Sequence, residues 1–133
     1  MENFLLQAHS GWRWIVLALI VIVVIKALIG WQGKQKWTSL DTNLLLYSRI
    51  AIYIQMVLGL ILYILIQGWT NMRFTGEHVL MAILAIGAVE FGAARARKAS
   101  GDANKFKFAF IGFLIALILV LVAIGGATAW SFV

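Results

Sequence analysis

The chain has no cysteine and no proline, and charged residues fill only 12% of its 133 positions. Without cysteine there can be no disulfide, thiolate metal site, thiol nucleophile or covalent CxxCH attachment of haem. Without proline no helix is forced to break or kink sharply, which speaks against the discontinuous helices of secondary transporters. A soluble domain carries about twice this charged fraction. Also missing are a Walker A loop, a GxGxxG turn after a strand, an HExxH zinc motif and a Ser or Cys nucleophile with a base. Hydrolase, kinase and dinucleotide chemistry are therefore not expected.

Apolar surface is what the chain has in abundance, at 63% of positions. It gathers into four runs, at about 10–30, 42–67, 76–96 and 106–130, each long enough to cross a hydrocarbon layer about 30 Å thick. The connections 31–41, 68–75 and 97–105 are short and polar, which makes neighbouring helices antiparallel. The fold class this predicts is all-α: a single integral membrane domain over 1–133, an up-down-up-down four-helix bundle in contact with the lipid bilayer. The opening MENFLLQAH lacks a basic start and precedes a run of full spanning length, so a cleavable signal peptide is not expected.

The net charge of +6 would point to nucleic acid in a soluble protein. Here it reads as orientation instead. Lys26, Lys34, Lys36, Arg49, Arg95, Arg97, Lys98, Lys105 and Lys107 fall toward the face shared by the first and third loops. Only Arg13 and Arg73 fall toward the face shared by the termini and the second loop. By the positive-inside rule both termini lie outside, in a bacterial cytoplasmic (inner) membrane with no nucleic-acid partner. The six tryptophans sit at span ends, with Trp12, Trp14, Trp69 and Trp130 outside and Trp31 and Trp37 inside.

The two histidines, His9 and His78, open the first and third runs, and each stands seventeen residues before a basic residue, Lys26 or Arg95. The first and third helices run parallel, so both imidazoles belong to one outer layer. Two readings follow: the rings face water and headgroups, or they converge in the bundle and take one neutral nitrogen each to the iron of a non-covalent b-type haem. Zinc would want a third or fourth ligand, and Glu77 lies about 100° around the helix from His78. Gly125 and Gly126, with Ala127 and Ala129, would let a flat ring approach the fourth helix, and Gly11, Gly59 and Gly68 would do the same elsewhere. Equally, such small residues mediate tight helix packing. Arg13 and Arg73 are placed to pair with haem propionates or with headgroup phosphates.

At HSGWRWIVL (9–17) and GEHVLM (76–81) the chain resembles a family of small bacterial four-helix membrane proteins labelled cytochrome b or cytochrome b-like. The likeness extends over nearly the whole chain, through the Leu-Asp after the basic loop and QMVLGLILY at 55–63. Where the family pattern has proline after Glu-His, this chain has Val79. The resemblance implies haem b, electron transfer and a redox partner, with quinone as a further candidate.

Glu90 is the one acid well inside a run, and Arg49 and Lys26 reach the same inner half, giving an intramembrane charge cluster or ion-pair triad. Its functional reading is a proton-linked or quinone-headgroup site with Tyr47, Tyr53 or Gln55 as partners. Glu77 complements the start of the third helix, with Thr75 as N-cap. Three functions are in play. The first is a b-type cytochrome-like protein with one haem near the outer face, acting as an electron carrier or quinol-linked subunit rather than a stand-alone enzyme. The others are a non-catalytic subunit of a larger respiratory or other membrane complex, or homo-oligomer, and a small proton-coupled transporter using Glu90.

Overall fold

A computed structural model describes residues 2–72 and 75–129, with side chains at 3–72 and 75–124. Four helices dominate it: α1 Glu2–Gln32, α2 Ser39–Leu65, α3 Leu80–Lys98 and α4 Asp102–Ala129. A 3-10 turn at Gly68–Thr70 and one π-helical turn at Thr75–Val79 join α2 to α3. Each helix, taking the π turn with α3, is long and apolar enough to cross a membrane, and 22–33% of its most apolar stretch is buried. Most of that surface, including Ile25, Leu60, Ile83 and Ile118, points outward, as in helices that are apolar all round.

The inward residues recur at alternating steps of three and four. In α1 they are Leu5, His9, Val16, Ile20, Val23 and Ala27; in α3, Ala85, Val89, Gly92 and Ala96; in α4, Phe106, Ala109, Phe113 and Ala116. This spacing keeps one narrow seam facing the neighbours and sets near-parallel antiparallel packing. Around the bundle the order is α2, α1, α4, α3, with α2 and α3 closing the ring through sparse contact.

Packing quality differs between pairs. A Cβ added at Gly112 would meet the Gly92 backbone nitrogen at 2.7 Å, so α3 and α4 approach backbone to backbone. Phe106 fills the space above Gly30, where a Cβ would lie 2.5 Å from the ring. The α1–α2 pair is tied by polar bonds: Trp12 Nε1–H donates to the Ala51 carbonyl at 2.8 Å, and Lys26 meets Asp41 at 2.5 Å.

Helix bounds depart from the sequence reading in instructive ways. The α1 helix begins at Glu2 because Leu5 and His9 continue the inward seam, and its 31 residues reach about 46 Å at 1.5 Å each. His9 thus lies two turns inside the helix rather than at its mouth. The α2 helix begins at Ser39, since Asp41 accepts the Thr38 main-chain N–H (2.9 Å) and hydroxyl (3.0 Å) and closes its first turn. It stops at Leu65 because Gln67 adopts a left-handed φ of 54°. Thr75 does not cap α3: its hydroxyl lies 3.0 Å from Tyr63 Oη and faces the Gly68 and Asn71 carbonyls, tying the loop to α2. Trp12 is an interhelical brace rather than a headgroup anchor, whereas Trp14 and Trp69 are exposed.

Replacing Gly112 by Leu should force α3 from α4 and lower stability by about 1–3 kcal/mol or more. Gly11→Leu, at a position with nothing within 4 Å, should stay within about 0.5 kcal/mol. Thermal unfolding in detergent, followed by circular dichroism, reads both.

Candidate functional site: a two-histidine cavity

Sparse contact between α2 and α3 leaves a cavity of about 300 Å³ in the half of the bundle that holds the start of α1, reached by all four helices. Its polar wall is His9 and Arg13 from α1, Gln55 and Tyr63 from α2, and His78 from the π turn. The remaining lining is aliphatic apart from Met56 and Gly59. A mostly apolar cavity with a few convergent polar groups has the make-up of a small-molecule or cofactor site.

The seam delivers both histidines to this space. His9, 8% exposed, holds an inward position between Leu5 and Val16. Its ring rests on α2 where Gly59 leaves room, since a Cβ there would lie 2.9 Å from His9 Cε1. His78 stands one step of four before Ala82 and continues the inward line of α3. Its π turn is a rare geometry that clusters at functional sites. The two ring centres are 6.1 Å apart, with planes at 76°. His78 Nδ1–H donates to the Ala123 carbonyl at 2.8 Å, and because a carbonyl only accepts, this bond puts the Nδ1 proton on the ring and fixes its orientation.

Three buried polar side-chain atoms lack a hydrogen-bond partner among the described residues: His9 Nδ1, Arg13 Nε and Gln55 Oε1. All three belong to residues that line this cavity. Buried polar atoms are nearly always bonded, so such a cluster calls for a missing partner. The Arg13 guanidinium lies 5.1 Å from the centre of the Trp14 ring, and among the described residues no carboxylate forms an ion pair with it. No group of three His, Cys, Asp or Glu that could hold a metal ion converges among the described residues.

The residues expected in one charge cluster divide into two pairs. Arg49 grips Glu90 through Nε (2.6 Å) and Nη2 (3.0 Å), a bidentate tie between α2 and α3 with the side chains 28% and 33% exposed. Lys26 is not part of it: it turns to Asp41, 4% exposed, near the loop that joins α1 to α2. Gln55, expected near Glu90, instead donates from Nε2 to the His9 carbonyl at 2.8 Å, and Tyr47 and Tyr53 face outward. Gly11 opens onto no neighbour and Gly68 is buried in the loop turn, so neither lines the cavity, whereas Gly59 does. Gly125 and Gly126 belong to the last turns of α4, past the described side chains, and Arg73 and Trp130 lie outside the described residues. The signal that could have found Gln55 and Gly59 is the one amide in the largely apolar stretch 50–65 of α2, four residues before its one glycine.

The two ion pairs should respond unequally. Lys26→Met strands a nearly buried Asp41 carboxylate and should cost about 3–5 kcal/mol. Arg49→Met leaves Glu90 one-third exposed and should cost less. Denaturant or thermal unfolding of the two purified variants checks the order.

Compared with known proteins, the chain matches no family model, and no curated protein or solved structure matches it.

Proposed function

We propose that the chain is a b-type cytochrome-like electron-transfer protein of the bacterial cytoplasmic membrane, holding one haem b between His9 and His78 near the outer face. The observation that carries this reading is the approach of the only two imidazoles across an apolar cavity, 6.1 Å centre to centre. Two imidazoles on opposite sides of one metal, each bonded at about 2 Å, have ring centres about 6.4 Å apart. The donor set matches a metal whose other four positions come from the porphyrin, and a non-covalent haem needs no cysteine.

The surrounding residues support the fit. The Ala123 carbonyl orients His78 as a ligand-supporting acceptor does. The clearance at Gly59 admits the His9 ring, and aliphatic side chains from α2, α3 and α4 offer the apolar walls a porphyrin face favours. Bound haem would supply a one-electron couple. The protein's part is to hold two neutral imidazoles, exclude water and keep the site near one surface. Nine basic residues toward the two-loop face against two toward the terminal face support placing the termini and the cavity outside. The bidentate hold of Arg49 on Glu90 favours a static ion pair over the coupling acid of a transporter. The outward apolar faces suit either free lipid or a larger complex in which this chain is the haem subunit.

Protein purified from haem-replete membranes should show a Soret shift and a sharp α band in reduced-minus-oxidised spectra. His9→Ala or His78→Ala should each abolish the six-coordinate spectrum, and the double variant should lose the haem. A colourless wild-type protein, or full haem retention in the double variant, overturns the reading.

A further inference from the structure

The two histidines are supported in different ways. His78 Nδ1–H has a main-chain acceptor, Ala123 O, at 2.8 Å. His9 Nδ1 is buried with no partner among the described residues. A metal-bound imidazole commonly donates its other ring N–H to an acceptor, which fixes its orientation and raises its basicity as a ligand. If His9 binds through Nε2, an acceptor for Nδ1–H is needed.

Gln55 offers two. Its main-chain carbonyl faces the His9 imidazole without closing a hydrogen bond to Nδ1, and as part of continuous α2 it already serves the helix ladder. Its side-chain Oε1 is buried and unpaired. The amide cannot be turned end for end, because Nε2 donates to the His9 carbonyl at 2.8 Å and only an NH₂ group can make that bond. The acceptor end of Gln55 is therefore set by His9 itself, and two of the cavity's three orphaned atoms are an acceptor and a ring nitrogen on neighbouring residues. One hydrogen bond between them satisfies both.

We propose that Gln55 is the positioning residue for His9: anchored through Nε2 on the His9 carbonyl, it accepts the His9 Nδ1–H on Oε1 when Nε2 binds the metal. This rests on the haem reading above and gives the two axial ligands unlike supports. His78 is held by a main-chain dipole that no side-chain substitution removes, and His9 by an amide that can be exchanged. His9 is then the ligand through which the site's affinity and potential are tuned.

Two substitutions separate the roles of the amide's two ends. Gln55→Met removes both donor and acceptor at similar volume; Gln55→Glu loses the donor but keeps a stronger acceptor. With haem b titrated into the purified full-length protein, Met should weaken binding about 10–100-fold and raise the midpoint potential. Glu should retain binding within a few fold and lower the potential, because an anionic acceptor makes the imidazole more electron-rich. Shifts of opposite sign are the decisive readout, since loosened packing would move both variants the same way. The proposal is overturned if Met leaves affinity and potential at wild-type values, which would assign the acceptor to the main-chain carbonyl, or if both variants shift together. Should either variant prove unstable, Gln55→Leu and Gln55→Asp take their places with the same expected signs. A wild-type protein with no haem spectrum would instead remove the reading on which this rests.

Discussion

Shape, more than hydrophobicity, decides which helices of this bundle touch. When a helix is apolar on every face, an aliphatic side chain in an apolar surround gains little by moving onto another helix, so association follows close fit and a few polar bonds. Here α3 and α4 fit backbone to backbone at Gly92 and Gly112, and α4 meets α1 where Phe106 covers Gly30. The α1–α2 pair is bonded by Trp12 to Ala51, Gln55 to the His9 carbonyl and Lys26 to Asp41. On the remaining side of the ring, the Arg49–Glu90 pair ties α2 to α3 toward the α1–α2 loop, and the Tyr63–Thr75 hydroxyls tie α2 to the π turn at the opposite end. The cavity lies between those ties. It exists because the fourth side of the ring is fastened at two levels instead of being packed along its length.

Polar bonding follows the same division. Away from the cavity the polar groups of the apolar helices find protein partners: Asp41 takes Lys26 and the Thr38 amide and hydroxyl, Glu90 takes both arms of Arg49, and the buried Ser48 hydroxyl bonds back to the Leu44 carbonyl. At the cavity, three buried atoms on three residues have no partner among the described residues. Among the described residues, the orphaned polar atoms thus gather around the one apolar space that the bundle leaves open.

The four apolar helices, their antiparallel order and the common depth of the histidines were legible from hydropathy, loop length and the equal spacing to Lys26 and Arg95. Partner choice was not. Lys26 lies within reach of either an acid inside a run or one at its edge, and only the early start of α2, closed by Asp41 on Thr38, brings the second one within 2.5 Å. From sequence Gln55 reads as a partner for Glu90, but which helix its side chain meets depends on how α2 is rotated in the bundle, and the pattern of a helix that is apolar on most faces does not record that rotation. The π turn at Thr75–Val79 and the extension of α1 to Glu2 arise from tertiary seating, which residue propensity does not record.

The acceptor for His78 is a main-chain oxygen of α4, and the residue that supplies it, Ala123, contributes no side-chain chemistry to the bond. Any residue that keeps the helix intact and clears the ring would present the same oxygen at the same place. The residue type at position 123 could therefore change without loss of this hydrogen bond, and the amino-acid sequence carries no mark of it there. The hold on the His78 ring is thus carried by the path of α4 rather than by the side chain at position 123.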